Sequence, residues 1–438
     1  MDITQHESVN QALFSFIQNS PSSYHAVNTM KVQMREAGFI QLWEDQSWLL
    51  KPGGKYFVCR NASSLISFIL PEDSPRSFHI MASHSDSPTY KIKPGPGITD
   101  DGKIVKMNVE KYGGPIHPSW FDRPLSVAGR VLVDDGSSLR QELVYLDRNL
   151  LMIPSLAAHL YKDMKDTRAI NVQTEMAPII AWNEEPDVFW RLLAEAVGVR
   201  KEQILGMDLF LCCREAPSLW GANNEFIAGP HLDDLACCYT GFLGLLHCCP
   251  SEDAAVHCVF DNEEVGSRSR QGADSTFLRD VLERICLCLG MSEEQRRETL
   301  FRSFLLSADN AHAQHPNYAY AADPINHPCF NRGIVLKHQA ELRYATDAVT
   351  AAVFKKLCMR HDIPFQEYTN RSDQHGGSTL GSIACTQLPV PTVDIGLPQL
   401  GMHSVYECAG ALDTARMACL AQAFFSEALP AVTVAGEA

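Results

Sequence analysis

No uninterrupted apolar stretch in this chain approaches the roughly 20 residues that cross a bilayer, which excludes an ordinary transmembrane helix. Basic residues are outnumbered, 37 Lys and Arg against 52 Asp and Glu, for a net charge of −15, and no long Lys/Arg cluster occurs. Nucleic acid and anionic membranes are held by clustered cations, so neither is expected as a partner. The opening Met1-Asp2-Ile3-Thr4-Gln5-His6-Glu7 lacks both a basic and an apolar segment, so no secretion signal is expected. Cysteine is plentiful at 15 residues but never spaced C-x-x-C, which argues against a thiolate zinc site. The cysteines fall as adjacent pairs, Cys212-Cys213, Cys237-Cys238 and Cys248-Cys249, and singles, and several lie in apolar helical context, where a free cysteine behaves as a small hydrophobe. An odd thiol count without a secretion signal points to the reducing cytoplasm. Internal repeats and low-complexity tracts are also absent. At 438 residues and 45% hydrophobic content, the chain has material for two or three domains around a large core.

The richest stretch is Phe260-Asp261-Asn262-Glu263-Glu264-Val265-Gly266-Ser267, which follows an apolar, strand-like run from Ala254 to Phe260. Two adjacent glutamates at a buried strand's end are costly unless a positive charge sits there. On extended backbone neighbouring side chains point apart. One glutamate is then free to ligate a metal while the other faces a reacting water, as a metal-assisted hydrolase requires. An acidic helix start favoured by the macrodipole is the plainer explanation.

Other segments end in the same way. Phe78 to Ala82 leads into Ser83-His84-Ser85-Asp86, Phe304 to Leu306 into Ser307-Ala308-Asp309-Asn310-Ala311-His312, and Thr392 to Gly396, through Leu397 to Met402, into His403-Ser404. Leu232-Asp233-Asp234 precedes a buried-helix pattern from Leu235 to Cys249. A capping Asp or a core His explains any one of these. Their recurrence suggests convergence at the carboxyl ends of a parallel or mixed sheet, where ligand sites form.

Along the chain, two helices are expected over residues 10 to 40, interrupted at Pro21. Tyr56 to Cys59 and Leu65 to Leu70 read as a strand pair. Lys93-Pro94-Gly95-Pro96-Gly97 reads as a hinge, followed from Ile104 to about Leu146 by short β-rich runs between Gly/Pro/Asp turns. Asp187 to Val197 reads as a helix. The expected fold class is α/β: a mixed-sheet catalytic domain from residues 1–92 and 227–438, carrying an inserted β-rich domain over 93–226.

SHSDSP at Ser83–Pro88, YGG at Tyr112–Gly114, WFDRPLSVAGRV at Trp120–Val131, IPSLAAH at Ile153–His159, HLDD at His231–Asp234, FDNEEVGS, SADNAHAQHPNY at Ser307–Tyr318 and MHS at Met402–Ser404 lie in one order along nearly the whole chain. In these segments the sequence resembles the M18 metallopeptidases, the family of aspartyl aminopeptidase and its bacterial relatives. The resemblance implies a zinc-exopeptidase fold of the phosphorylase/hydrolase-like type and a di-zinc aminopeptidase, with Mn2+ or Co2+ as alternative ions. It implies that His84 and Asp309 bind one ion, Glu264 and His403 the other, and that Asp233 bridges them. Asp86 would orient the His84 imidazole. Glu263 would be the general base toward water activated by the two ions. His312, Lys337 and Tyr344 would lie near the substrate, and His159 would reach it from a neighbouring subunit. Short peptides are the implied substrates, preferably with an N-terminal Asp or Glu. The implied assembly is a homododecamer of dimers, with the insert making dimer contacts. His315 and His327 are weaker candidates for the site.

Three departures from the family's usual pattern stand near these residues: His231-Leu232-Asp233-Asp234 in place of Arg-Leu-Asp-Asn, Asn310 in place of a methionine, and Gln374-His375-Gly376-Gly377 before Ser378. An acidic substrate needs a cation, which Lys337, Arg371 or His375 could supply. Preference for neutral, leucine-like N-termini is the alternative activity. A silent scaffold homologue would have lost ligands or base, and none is missing. A metallo-carboxypeptidase or deacylase would share the metal chemistry but not the segments at 112–131 and 307–318.

Overall fold

Four apolar runs, Phe78–His84, Ala254–Phe260, Phe304–Ala308 and Thr392–Gly396, lie parallel at the centre of a nine-stranded mixed sheet. This computed structural model describes residues 2–100, 103–160 and 169–433. Every residue of the four runs is buried, because helices cover both faces, and this explains their unbroken rather than alternating hydrophobicity. The full order is Ile40–Leu42, Lys55–Arg60, Ser64–Ile69, Ala254–Phe260, Phe78–His84, Phe304–Ala308, Thr392–Gly396, Ile334–His338, Phe365–Thr369. Lys55–Arg60 and Ser64–Ile69 form the expected antiparallel pair.

Alternation along the strands sends side chains to two cores. Ala255, Val259 and Met81 pack with helices His6–Gln18, Leu232–His247, Ala348–Arg360 and Asp413–Ser426. Val256, Cys258, Ile80 and Leu305 pack with Phe277–Cys288 and Leu380–Gln387 on the other face. The result is a three-layer α/β/α arrangement. Helices Leu232–His247 and Asp413–Ser426 approach so closely that a Cβ on Gly244 would stand 2.8 Å from the Ala421 backbone. That proximity anchors the helix whose first turn carries Asp233.

A separate, antiparallel six-stranded sheet is drawn from Thr89–Asp100, Ile104–Tyr112, Leu125–Asp134, Leu139–Tyr145, Ile179–Trp182 and Ile204–Cys213. It has its own core, with Tyr90, Val109, Val127, Phe189 and Leu211. Helix Val188–Val197 supplies part of that core, close to the expected span. The expected hinge at Lys93–Gly97 is corrected: these residues are interior to the strand Thr89–Asp100. Pairing with Ile104–Tyr112 shifts register between Ile92 and Gly97, so the Pro/Gly run makes a bulge rather than a break. A third, five-stranded sheet contains Ser218–Trp220, Phe226–Gly229, Glu407–Gly410, Pro398–Leu400 and Ala311–His312. It brings the segments around His312 and His403 to the mouth of the central sheet. No helix among the described residues is long and apolar enough to cross a membrane.

Candidate metal centre

The parallel register sets Phe260 opposite His84, so the chain leaves both strands at the same level. Asp309 follows directly on Phe304–Ala308, and the segment after Thr392–Gly396 returns through Pro398–Leu400 to His403. The five expected ligands thereby meet. Ligand atoms of His84, Asp233 and Asp309 lie within 4.8 Å of one another, as do those of Asp233, Glu264 and His403. Asp233 belongs to both groups and turns one oxygen to each: Oδ1 is 3.8 Å from His84 Nε2 and Oδ2 is 3.6 Å from His403 Nε2. His403 Nε2 is also 3.4 Å from Glu264 Oε2. Asp233 Oδ1 is buried and accepts no hydrogen bond. A carboxylate oxygen left so, facing imidazole nitrogens that are themselves aimed inward, is poorly accounted for by the protein alone and fits a divalent cation. The donor set, two imidazoles and three carboxylates, is that of zinc with positions left open.

Local structure explains the aim of each group. Asn262 takes the left-handed conformation, φ 63°, and turns the chain out of its strand into a 3-10 turn, Glu263–Val265. The extended geometry expected for the two glutamates is therefore corrected; it is this turn that separates their directions. Both amides of the turn are held by Asp86: Glu263 N–H donates to Oδ1 at 3.1 Å and Glu264 N–H to Oδ2 at 3.2 Å. His84 Nδ1 is 2.9 Å from the Asp86 backbone carbonyl and 3.4 Å from its Oδ1. The imidazole thus meets Asp86 twice, through the backbone carbonyl and through the carboxylate expected to orient it. The ring's other nitrogen is left facing Asp233.

Glu407, which the sequence reading missed, is buried beneath the site. Its Oε2 accepts the Asp233 amide at 2.9 Å and its Oε1 the His403 amide at 2.7 Å. It fixes two candidate ligands through their backbone, a task with no motif of its own; only its position four residues after His403 hinted at it. Asn310 ties the Asp309 loop to the ligand helix, donating to the Leu232 carbonyl at 2.7 Å and to Gln399 Oε1 at 2.8 Å. Asp234 accepts the His84 amide through Oδ2 at 3.2 Å, and its buried Oδ1 has no partner.

The remaining expected residues are placed as follows. Lys337 is buried; its Nζ donates to the Asn310 carbonyl at 2.8 Å and lies 3.6 Å from Asp309 Oδ1. Tyr344 is buried too, with Lys337 Nζ 5.4 Å from its ring centroid. Both would be surface residues on composition alone; Asp309 explains the buried lysine. His312 is solvent-exposed at the end of the third sheet and lines a cavity of about 240 Å³ with His315, Tyr318, Tyr368 and Arg371. Arg371 pairs with both oxygens of Asp373, at 2.8 and 2.7 Å. His327 Nδ1 sits 2.9 Å from the Asp323 carbonyl. His159 is exposed in the short turn Ala158–Leu160 and belongs to neither ligand group.

Burial, followed by repulsion from Asp309, pushes the Asp233 carboxyl up to about 7. Burial lifts Glu263 to about 8, against the pull of His84. Glu264 and Glu407 are raised well above the carboxylate range by burial and then by Asp233, and Asp234 by burial against the pull of His84. For His84 burial works against the charge, but the Asp86 hydrogen bond and the Asp234 charge raise it well above 6.5. Loss of hydration lowers His403, and takes His231 down to about 4. A carboxyl or imidazole raised in the fold binds protons more tightly there, so stability falls as pH climbs toward its folded pKa. The lowered histidines act oppositely, but only up to their unfolded value near 6.5. Between about pH 6.5 and 8 the raised groups titrate unopposed. The metal-free protein should therefore lose thermal stability across that window, and saturating zinc should abolish the loss. Calorimetry at both pH values, with and without zinc, checks this.

Shared carboxylate, paired imidazoles and a neighbouring glutamate held by its amide make this the centre of a metal-assisted hydrolase. Comparison with known proteins agrees. Residues 16–425 match the family described as aminopeptidase I zinc metalloprotease (M18). The chain is 42% identical over 409 residues to the probable M18 family aminopeptidase 2 of Clostridium acetobutylicum, covering 92% of this chain and 94% of that one. It is 38% identical over 432 residues to the protein of the same description from Stutzerimonas stutzeri, covering 96% and 99%. Among solved structures it is similar to Ape4 in its complex with Nbr1, with TM-score 0.93 and 35% identity over 97% of this chain and 86% of that one. The S. cerevisiae mApe1 dodecamer gives TM-score 0.84 and 26% identity over 96% of each chain. The chain belongs to the M18 family of zinc metallo-aminopeptidases.

Proposed function

We propose that this aminopeptidase removes N-terminal Asp or Glu from short peptides, using two divalent ions, most suitably zinc, with Mn2+ or Co2+ able to replace it. His84, Asp233 and Asp309 would hold one ion, and Asp233, Glu264 and His403 the other. Bound there, the ions would supply acidification of water and polarisation of the scissile carbonyl. Glu263 takes the proton from the attacking water and returns it to the leaving amine. Asp86 keeps the Glu263–Glu264 turn in place. Lys337 and Tyr344 act from behind Asp309, and His312 contacts the substrate directly.

The observation that carries the acidic preference is the cavity beside His312, where Arg371 and His315 supply hydrogen-bond donors, against one carboxylate, Asp323, in the same lining. The Arg371–Asp373 pair favours the second reading, a neutral leucine-like residue, because it offsets the guanidinium charge. Turnover of Asp-, Glu- and Leu-arylamides under defined zinc loading decides between them. We expect kcat/KM for the acidic substrates to exceed that for Leu at least tenfold; the reverse order would install the neutral reading.

The fold is further read as a phosphorylase/hydrolase-like catalytic domain, 1–92 with 227–438, and an inserted dimerisation domain, 93–226. mApe1 of S. cerevisiae is described as a dodecamer, and a homododecamer is proposed here as well. The exposure of His159 suits a role in a neighbour's site. All 15 cysteines are free thiols, which supports a cytoplasmic location.

A further inference from the structure

Strand Ile104–Tyr112 belongs to the six-stranded sheet, yet its last residue and the two glycines after it reach the metal centre. Tyr112 Oη donates to Asp86 Oδ2 at 2.7 Å, onto the same oxygen that accepts the Glu264 amide. Asn262 Nδ2 donates to Tyr112 Oη at 2.9 Å, and Gln271 Nε2 to Asn262 Oδ1 at 2.9 Å. The phenol is thereby fixed in direction: with Asn262 as its donor, its own proton goes to Asp86. Gly113, at φ 69°, lies against the liganding turn, since a Cβ there would stand 3.1 Å from Glu264 Cβ. The Gly114 carbonyl is 3.2 Å from His403 Nδ1, and the Ile116 amide donates to the His403 carbonyl at 2.9 Å. One short segment of the second sheet therefore touches the supports of Glu263, Glu264 and His403 together.

We propose that Tyr112 is a positioning residue of the peptidase site, and that Tyr112–Gly114 is the element through which the second sheet sets the aim of Glu263, Glu264 and His403. The inference rests on the aminopeptidase reading for its kinetic arm alone. Without the Tyr112 proton, Asp86 keeps two amide donors but loses the bond that fixes its carboxylate plane. The Glu263–Glu264 turn then tilts, displacing base and ligand at once. Partners of ligands commonly contribute about 10- to 100-fold to metal affinity or activity.

Tyr112→Phe tests this, with Tyr90→Phe as control, because Tyr90 Oη, in the same sheet, bonds His117 Nδ1 at 2.7 Å and not Asp86. Expected for Tyr112→Phe are a kcat about 10- to 100-fold lower, KM within about twofold, an unchanged melting temperature, and a shifted visible spectrum of the cobalt-loaded protein. Tyr90→Phe should match wild type throughout. Asn262→Asp serves if Tyr112→Phe does not fold: it replaces the donor by an acceptor competing for the Tyr112 proton, and should shift kcat and spectrum the same way. Unaltered kcat, an unaltered cobalt spectrum, or an equal loss in Tyr90→Phe overturns the proposal. The spectrum is read without substrate, so it still decides the role of Tyr112 if the wild-type chain hydrolyses none of the peptides offered, a result that would instead sink the aminopeptidase reading.

Discussion

Glu263→Gln should keep its metal and its fold and lose turnover by about 100- to 10,000-fold, the range that general acid–base catalysis contributes. The amide is nearly isosteric, and the Asp86 bond to Glu263 is made through the backbone, so the turn survives the change. What disappears is the capacity to accept a proton. Glu263 stands within ligand distance of His84 and Glu264 but outside the two groups that share Asp233. Above about pH 8, where Glu263 is ionised in the metal-free protein, the variant also removes the cost of burying that charge and its repulsion by Asp309, Asp86 and Asp233, against the lost pull of His84, so the metal-free variant should melt above the wild type there. Steady-state rates, zinc content by atomic emission and a thermal melt check the three expectations. Turnover near the wild-type level would refute the assignment of the base.

Asp233→Asn should be as damaging for a different reason. Each oxygen of Asp233 faces a different histidine, so the side chain serves both candidate ion positions. Asparagine offers one oxygen and one NH2, and the NH2 repels whichever cation it meets. We expect fewer than two ions per chain after dialysis and a rate at least about 1000-fold lower, since metal polarisation is worth several kcal/mol of barrier. Excess zinc should restore little. Full metal content together with full activity would show that Asp233 is not shared.

Much of the centre was readable before any coordinates, and the reason is topological. Parallel strands buried on both faces must be apolar throughout, so the polar residues where Phe78–His84, Ala254–Phe260 and Phe304–Ala308 end stand out against them. His84, Glu264 and Asp309 announce themselves in this way. Glu407 and Asn310 do not, because they act on backbone groups, and backbone partners leave no spacing in a sequence. Tyr112 appeared as a motif but without a role: its partner Asp86 is brought to it only by the pairing of Tyr112 with Thr89, which a sequence does not display. The Lys93–Gly97 bulge was misread as a hinge for a related reason. Proline and glycine interrupt a strand and end a domain with the same local signature, and only the neighbouring strand distinguishes the two.

The candidate ligands are also spread widely along the order of synthesis. His84 emerges from the ribosome early and His403 close to last, with the six-stranded sheet in between. A growing chain stopped short of residue 403 has His84, Asp233, Glu264 and Asp309 but not His403. On the proposed two-ion reading, such a chain would lack a candidate ligand of the second ion and the helix Asp413–Ser426 that packs on the helix carrying Asp233.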